Sequence, residues 1–519
     1  FAHPPGKRHV RGDVDTRLEA VRAAFESCFE DGLARRAQLA VYQGSDLVID
    51  VVGSCEPGRG ELPYDAESTQ CVFSCSKVVS GLALAMLEDR GHVDYDTPLS
   101  HYWPEFGCRG KGKITVAELM QHDAGIPWPD TLLSPGMARD AERLSEVLAG
   151  QTVKTFDRVY HAVVQGLLLN EVFRRADPLG RTVGAFVREE ICAKLPGMQL
   201  YLGRQPLASA KGEGTRAPSH PVSRPPLWWS LVNAWIPYFL FGCVEGKAKP
   251  PIFSSRARDV WRRSSVWSRS MFVFEGMDRG AHFYNQHTDL ELPSSNASAN
   301  ARSMARLGAL VVNGGELDGV RLISRAGLER AMGDVRSRPD LFSSTGAETS
   351  WCRCGWHCFG PQSVAIPPGM VGWSGWGGSL MLFDMDRGLA IGFATTCLTH
   401  DLAVEQRWAR FLNPLMETLF VSPRAADGGH MPWSLAGVDP RWARVDDDKL
   451  SDISSPSGRA SGRSTPNTPG SPMRDMPLLW SPVLGADTRE LLPEAFGSSA
   501  NINCTGNLAC RTGRHPDVH

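Results

Sequence analysis

The sequence predicts an α+β fold, in which an antiparallel sheet is flanked by helices and accompanied by a helical subdomain. Strand patterns occupy Ala37–Gln43 and Leu47–Val52 near the start of the chain, and they return at Ser379–Asp384 and Gly388–Thr396 near the end of its apolar part. Between these two groups the apolar residues follow helical spacing, and this order of elements is typical of α+β proteins. Hydrophobic residues make up 42% of the 519 residues, which is enough for a large buried core.

Turn and helix signals complete the order of elements. Gly44–Asp46 joins the first two strands, and Asp386–Gly388 joins the last two, both with residues typical of hairpin turns. Gly91 ends the helix predicted at 74–90, and Gly314 ends the helix predicted at 299–313, because glycine readily adopts the backbone conformation that closes a helix. The predicted helices are, in chain order, 13–32, 74–90, 114–121, 155–195 in two pieces, 299–313 and 402–420.

The chain is predicted to contain one large domain followed by a tail. Residues 13–421 form this domain, which carries an insert at about 205–280. Residues 1–12 form an N-terminal extension that we expect to be incomplete, because the chain begins with Phe1 instead of Met. Residues 422–519 are rich in proline and serine, and because such a segment cannot bury a core we expect it to be mostly disordered and open to phosphorylation.

Leu227–Val244 is an uncharged stretch inside the predicted insert. Its length approaches that of a membrane span, but Asn233, Pro237 and Gly242 interrupt it, and the chain holds no second stretch of this kind. We favour a buried or lid-like pair of helices. Interfacial contact with a membrane is the second interpretation, and a true span is the third.

Charge and cysteine usage narrow the class of protein. The 55 Lys and Arg residues nearly balance the 57 Asp and Glu residues, so we expect no nucleic-acid partner. The 13 cysteines are odd in number and irregularly spaced, which favours a cytoplasmic or organellar protein over a secreted one. The densest group, at Cys352, Cys354, His357 and Cys358, matches no closed zinc site. We therefore interpret its cysteines as free thiols and expect no metal or cofactor.

A Ser-x-x-Lys pattern at the start of the helix predicted at 74–90 carries the strongest chemical signal. The spacing places the Ser74 hydroxyl and the Lys77 ammonium on one helical face. The helix N-terminus favours developing negative charge, and a desolvated lysine can lose its proton near neutral pH and act as a base. The pattern alone occurs by chance in many helices. The periodicity of this helix predicts one inward face, formed by Val78, Leu82, Ala85 and Met86.

Several ordered blocks resemble the β-lactamase-related serine hydrolases, a family that includes class C β-lactamases, penicillin-binding-type peptidases and esterases. The resemblance runs from about residue 13 to 420. It implies a β-lactamase/transpeptidase-like fold and a serine nucleophile, and it looks closest to the esterase-like branch. The blocks are Val72–Lys77, Asp89–Pro98, Tyr102–Phe106, Ile114–Val116, Leu119–Gly125, Asp177–Arg181 and Leu292–Asn296.

The resemblance also assigns a role to the block Tyr160-His161-Ala162. Tyr160 matches the tyrosine of the family's Tyr-x-Asn motif and would act as the general base, with the Lys77 cation lowering the pKa of its phenol. Ser74, Lys77 and Tyr160 would then titrate as a coupled group. Ala162 departs from the motif, because alanine cannot hydrogen-bond a substrate amide. His161, and His122 in an earlier block, are interpreted as structural residues.

A third block, Trp373-Ser374-Gly375, matches the family's Lys-Thr-Gly motif. These three residues would line the substrate site, with Trp373 in the place that a cation often holds. The small residues would let the strand backbone approach the bound acyl group. The backbone N–H groups of Ser74 and Trp376 would form the oxyanion hole.

These features predict a metal-free carboxylesterase that forms an acyl-enzyme intermediate on Ser74. The substrate is expected to be a small ester with an apolar acyl group, because the predicted insert is rich in aromatic residues. Two alternatives stay open: a peptidase or β-lactamase with the same nucleophile, and a non-catalytic scaffold that keeps the fold. The intact set of Ser74, Lys77 and Tyr160 argues against the scaffold. The aromatic residues of the insert are Trp228, Trp229, Trp235, Tyr238, Phe239 and Phe241.

Overall fold

A nine-stranded antiparallel sheet organises the part of the chain that the computed structural model describes. The described residues are 8–55, 63–203, 219–222, 266–342, 348–361, 363, 365–398 and 401–420. The strands are β1 Arg8–Val14, β2 Arg36–Gln43, β3 Asp46–Cys55, β4 Thr69–Cys71, β5 Leu200–Tyr201, β6 Ser219–His220, β7 Ser298–Ala299, β8 Glu316–Leu317, β9 Val320–Arg321, β10 Arg336–Pro339, β11 Glu348–Trp351, β12 His357–Cys358, β13 Val371–Ser374, β14 Leu380–Asp384 and β15 Leu389–Thr395.

The large sheet has the strand order β1-β3-β2-β15-β14-β13-β12-β11-β10. Strands from the two ends of the domain therefore meet in its middle, where β2 pairs with β15. A second sheet of four short strands has the order β5-β7-β4-β6, and β8 and β9 form a hairpin. The helices are α1 Glu19–Glu30, α2 Ser76–Asp89, α3 Leu99–Tyr102, α4 Val116–Met120, α5 Pro135–Ala138, α6 Ala141–Ala149, α7 Val164–Ala176, α8 Val183–Phe186, α9 Ala281–Gln286, α10 Ala301–Val312, α11 Arg325–Met332 and α12 Asp401–Phe420.

Helices cover both faces of the large sheet. In β14, Leu380 and Leu382 belong to a hydrophobic cluster with α1 and α12, whereas Met381 and Phe383 belong to a second cluster with α2 and α10. This division follows from the strand geometry, because successive side chains point to opposite faces. The predicted α+β class, with an antiparallel sheet and flanking helices, is confirmed.

Two predicted helix starts were wrong. The helix predicted from residue 13 begins at Glu19, because Arg8–Val14 instead forms the edge strand β1, which is hydrogen-bonded to β3. The sheet thus begins ahead of residue 13, the start predicted for the domain. The helix predicted from residue 155 begins at Val164, because the segment before it is held in irregular form by contacts with distant residues.

Helix α2 differs from its predicted amphipathic form, because every residue from Ser76 to Leu87 is buried. The sheet side and the helical side of the domain both pack on it, so a polar residue between Ser76 and Leu87 is removed from water. Lys77 is 1% exposed and must find its partners inside the protein. This burial is the main way in which the fold prepares the site.

Leu227–Val244 and residues 422–519 lie outside the described residues, as does most of the insert predicted at 205–280. The three interpretations of Leu227–Val244 and the predicted disorder of the tail are therefore not addressed by the structure. In the part of the chain that is described, no helix combines the length and the apolar character needed to cross a membrane.

Candidate active site

Ser74 lies in a tight turn between strand β4 and helix α2. The turn spans Phe73–Cys75, and Phe73 has a φ of 48°. A positive φ is costly for a bulky residue, and it persists only where the surrounding structure enforces it. Ser74 itself is half-buried, whereas Phe73 and Cys75 are buried. The turn therefore presents the Ser74 side chain at the start of a buried helix.

The end of strand β13 approaches this turn closely. A Cβ added at Gly375 would lie 2.2 Å from the Val72 carbonyl oxygen, so only glycine fits there. On the other side of the turn, the Cys75 thiol donates to the Trp373 carbonyl at 3.6 Å. Ser374 lies between these two contacts, paired with Leu380 of β14. The structure thus brings the block predicted to line the substrate site against the predicted nucleophile.

Lys77 is held by two backbone carbonyls. Its Nζ donates to the Ala162 oxygen at 2.7 Å and to the Ser294 oxygen at 2.9 Å, and it lies 4.6 Å from the centroid of the Tyr160 ring. Burial lowers the pKa of Lys77 well below its ordinary value. A neutral amine with both N–H groups donated to carbonyls keeps one lone pair that can accept a proton.

The Tyr160 hydroxyl interacts with both Trp373 and Ser74. The Trp373 indole Nε1 donates to its oxygen at 2.8 Å, and the Ser74 side chain also acts to lower the pKa of the phenol. Burial nevertheless raises the pKa of Tyr160 above its ordinary value, and these two interactions only partly oppose that rise. The indole occupies the place that the resemblance gives to a cation, so a neutral donor takes over one of that cation's contacts.

Burial disfavours both the Tyr160 phenolate and the Lys77 ammonium. The neutral amine and the neutral phenol are therefore the favoured forms of this pair, and together they can accept one proton. Because the groups are close and buried, they titrate as a coupled unit. The arrangement can take a proton from Ser74 without first placing a net charge in a dry site.

Three polar residues that the sequence interpretation left without a role position the Tyr160 segment. The Ser270 hydroxyl donates to the Tyr160 carbonyl at 2.5 Å and accepts the Ala162 N–H at 3.1 Å. The Asp340 carboxylate accepts the Tyr160 N–H at 3.1 Å. Ser294, whose carbonyl holds Lys77, lies in the block Leu292–Asn296 that contributed to the family resemblance, so the sequence could have indicated its importance. Ser270 and Asp340 lie in no such block, and the sequence pattern did not point to them.

The two histidines beside the site accept hydrogen bonds from backbone N–H groups. His122 Nδ1 accepts the His161 N–H at 3.1 Å, and His161 Nε2 accepts the Ile126 N–H at 3.0 Å. Burial lowers the pKa of His161 to about 4 and that of His122 well below its ordinary value. Both are therefore neutral near pH 7, in agreement with a structural interpretation.

Trp376 begins the turn that follows the Gly375 contact. Its indole packs edge-on against Phe73, with ring centroids 5.5 Å apart, and a Cβ added at Gly280 would lie 2.9 Å from this indole. Phe73 also packs edge-on against Tyr284, at 4.9 Å. The wall beside the Ser74 turn is therefore aromatic and apolar.

Cys352, Cys354 and Cys358 are free thiols, and the sulfurs of Cys352 and Cys354 are 3.5 Å apart. Among the residues that the structure describes, no group of three His, Cys, Asp or Glu side chains has a geometry that could hold a metal ion. The cysteine group lies near the site through His357, whose ring is 5.0 Å from that of Trp373.

Trp373→Phe tests the hydrogen bond to Tyr160. Loss of the indole N–H should raise the pKa of Tyr160 further, because a phenolate loses a donor that is worth about 1.5 to 3 kcal/mol to a charged group. The deprotonated pair has two arrangements, neutral amine with neutral phenol and ammonium with phenolate, and the indole N–H stabilises the second. Its loss therefore raises the apparent pKa of the coupled pair, and the rising limb of the activity should move to higher pH by at most about one unit. The pH profile of kcat/KM measures this shift.

Trp351→Phe is the matched control, because the Trp351 indole also packs on Tyr160 but donates to Thr349 Oγ1 at 3.0 Å. This control should leave the rising limb in place, whatever its effect on stability. Equal pH profiles for wild type and Trp373→Phe would show that the Trp373–Tyr160 bond has no part in the proton transfer.

A family profile described as Beta-lactamase matches residues 21–413. Esterase/beta-lactamase LipL of Mycobacterium tuberculosis is 29% identical over 419 residues, which cover 80% of this chain and 86% of the relative.

Solved structures show the same fold. A penicillin-binding protein homologue from Caulobacter crescentus is 27% identical and has a TM-score of 0.64. The match covers 79% of this chain and 100% of that chain. A family VIII carboxylesterase has the same TM-score of 0.64 at 24% identity, with 79% of this chain and 100% of that chain covered. The second likeness concerns the fold alone, because so low an identity does not carry over an activity.

Proposed function

This chain belongs to the Beta-lactamase family and is a hydrolase of that family, and from this premise we propose that it is a serine-nucleophile carboxylesterase that forms an acyl-enzyme on Ser74. One observation carries the proposal: Ser74 and the Tyr160 hydroxyl interact beside the buried Lys77, whose Nζ lies 4.6 Å from the centroid of the Tyr160 ring. A nucleophile in contact with a base that a third group orients is the arrangement that covalent acyl transfer requires.

The proton balance of the first step follows from the uncharged pair. Ser74 Oγ attacks the ester carbonyl carbon while its proton passes to the Lys77–Tyr160 pair, which becomes the cationic form. The carbonyl oxygen becomes an oxyanion and is bound by the N–H groups of Ser74 and Trp376. As the carbon–oxygen bond of the ester breaks, the pair returns the proton to the leaving alcohol. Water then repeats the same steps and releases the acid.

An ester is a better match to this site than an amide. The alanine side chain of Ala162 offers no donor or acceptor to a substrate amide. The backbone of Ala162 is also already occupied, because its carbonyl accepts from Lys77 and its N–H donates to Ser270. The Trp373 indole is neutral and is already bonded to Tyr160. An alkoxide leaves more readily than an amine, so ester cleavage tolerates both features.

The aromatic wall beside the nucleophile supports an apolar acyl group. Phe73 is buried against Tyr284 and Trp376, and of these three residues Trp376 is the one that stays half-buried, so its indole is the apolar surface that an acyl group on Ser74 would meet. Each methylene that such a surface buries contributes about 0.8 kcal/mol. The aromatic residues of Leu227–Val244, which first suggested this preference, lie outside the described residues.

A direct assay tests the proposed function. The purified full chain should hydrolyse p-nitrophenyl esters, and a fluorophosphonate probe should label it at a single residue, which peptide mass spectrometry should locate at Ser74. Adding EDTA should leave both results unchanged, because no step uses a metal. Absence of ester hydrolysis together with absence of labelling would favour the scaffold alternative, and labelling at another serine would reject Ser74 as the nucleophile.

A further inference from the structure

Arg407 of helix α12 is a buried cation beside the turn that follows Gly375. Its side chain has 0% exposure, and its hydrogen-bond acceptors in the described part of the chain are three backbone carbonyls. Nη2 donates to the Gly377 oxygen at 2.7 Å, while Nη1 donates to the oxygens of Leu33, at 3.0 Å, and Cys397, at 3.3 Å. A cation that is removed from water and held by these carbonyl dipoles and by the Phe393 ring, 5.2 Å away, is costly to bury, which points to a local purpose.

Two backbone hydrogen bonds close the turn: the Gly375 N–H donates to the Ser379 oxygen at 2.8 Å, and a second bond lies within residues 375–378. The Gly378 N–H donates to the Gly375 oxygen at 2.9 Å, so residues 375–378 form a tight loop with Trp376 near its tip. Gly377 and Gly378 have φ values of 81° and 109°, which strongly favour glycine. A Cβ at Gly377 would also lie 2.6 Å from the Leu398 Cβ, so the loop is fixed by packing as well.

Two of these hydrogen bonds form one line through two peptide groups: the Arg407 bond to the Gly377 oxygen and the Gly378 bond to the Gly375 oxygen. The Gly377 carbonyl and the Gly378 N–H belong to the same peptide unit, as do the Gly375 carbonyl and the Trp376 N–H. The guanidinium of Arg407 donates to the first unit, and the first unit donates to the second. The line therefore runs from the buried cation to the N–H that the family resemblance assigns to the oxyanion hole.

We propose that Arg407 is a positioning residue that polarises the oxyanion hole through the two peptide units of the 375–378 turn. A charge-assisted bond at a carbonyl increases the double-bond character of that C–N bond and makes its N–H a stronger donor. Along a chain of such bonds each unit strengthens the next, and a buried site of low dielectric enlarges the effect. Arg407 thus supplies positive potential to a site in which the neutral Trp373 stands in the place of the family's cation.

This inference rests on the proposed esterase function, and the neighbouring residue provides a control. Trp408 donates from Nε1 to the Gly378 oxygen at 3.0 Å. That carbonyl belongs to the next peptide unit along the chain, outside the line that ends at Trp376. Loss of the Trp408 bond should therefore loosen the same turn without weakening the polarised N–H.

The test compares Arg407→Gln with Trp408→Phe in the full chain. For each variant we would measure the melting temperature, kcat and KM for a p-nitrophenyl ester, and the infrared carbonyl stretch of an acyl-enzyme labelled with ¹³C at the carbonyl. Removal of an oxyanion-hole donor costs about 10²- to 10³-fold, so weakening one by loss of polarisation should lower kcat/KM about tenfold. The loss should fall on kcat, and the carbonyl stretch should move to higher frequency.

Trp408→Phe should lower the melting temperature while it keeps the wild-type carbonyl frequency. Arg407→Lys, which keeps a cation, should have a kcat and a carbonyl frequency closer to those of wild type than Arg407→Gln has. The proposal is overturned if Arg407→Gln, although folded, keeps both the wild-type kcat and the wild-type frequency. A wild-type chain that neither hydrolyses esters nor reacts at Ser74 would instead reject the proposed function.

If Arg407→Gln does not fold, Arg407→Lys answers the same question. A buried lysine without a carboxylate partner loses its proton at an accessible pH, so its charge can be removed by titration. The thiols that face this position, Cys28 and Cys397, have pKa values raised by burial, to about 11 for Cys28, and stay protonated. The carbonyl frequency of this variant should rise with pH where that of wild type stays constant. A constant frequency in both would overturn the proposal.

Discussion

Ser74→Ala is expected to abolish covalent labelling by a fluorophosphonate and to lower kcat for an ester by about 10⁴-fold or more. The reason is that the alanine variant can form no acyl-enzyme, so that only the oxyanion hole and binding remain. Lys77→Met and Tyr160→Phe should each cost nearly as much, because the three side chains act on one proton and their effects do not add. Single-turnover kinetics with each variant measure the loss at the acylation step.

Ser80→Ala is the matched control for Ser74→Ala. Ser80 is buried in helix α2, which follows the Ser74 turn, and its hydroxyl donates to the backbone carbonyls of Ser76 and Lys77. This variant should keep labelling and most of kcat. Equal labelling of wild type and Ser74→Ala would place the nucleophile elsewhere, and the proposed mechanism would then be wrong.

The second large effect expected is a preference for esters over β-lactams of about 10²- to 10⁴-fold in kcat/KM. Two contacts that would help amide chemistry are missing, because Ala162 offers no side-chain hydrogen bond and Trp373 is neutral. Each missing contact is worth about 1.5 to 3 kcal/mol, and the two together give the expected ratio. An amide nitrogen must also be protonated as it leaves, which an activated ester avoids. Parallel assays with a p-nitrophenyl ester and a chromogenic cephalosporin measure the ratio.

The double variant Ala162→Asn with Trp373→Lys should shift this ratio toward the lactam, because it restores an amide-binding side chain and a cation. The single variants should shift it less. The alternative of a peptidase or β-lactamase with the same nucleophile predicts the opposite preference, so this measurement also separates that alternative from the proposed esterase. Wild-type hydrolysis of a β-lactam as efficient as that of a small ester would reject the argument from these two positions.

How far sequence patterns reach is clearest in helix α2. The i, i+3 spacing of Ser74 and Lys77 was enough to predict that they lie one turn apart at a helix start, because helical geometry is local. The four residues that the same periodicity predicted to face inward are buried, but the opposite face is buried as well, because the helix is enclosed on all sides from Ser76 to Leu87. Periodicity reports the polarity of side chains along one element, and it cannot report how many neighbours that element will have.

The sequence by itself determined the α+β class, the order of most elements, and the set of residues from which a nucleophile and its base could be drawn, because strand alternation, turn residues and motif spacing are encoded locally. Only the tertiary structure decided what those residues touch. The Trp373 bond to Tyr160 joins residues 213 positions apart, and the Lys77 bond to Ser294 joins residues 217 positions apart. Arg407 of helix α12 reaches the Gly377 carbonyl, which lies in the turn between strands β13 and β14. Such contacts depend on how separate elements pack, and so does the burial that sets each pKa. No pattern along one element can therefore specify either the contacts or the burial.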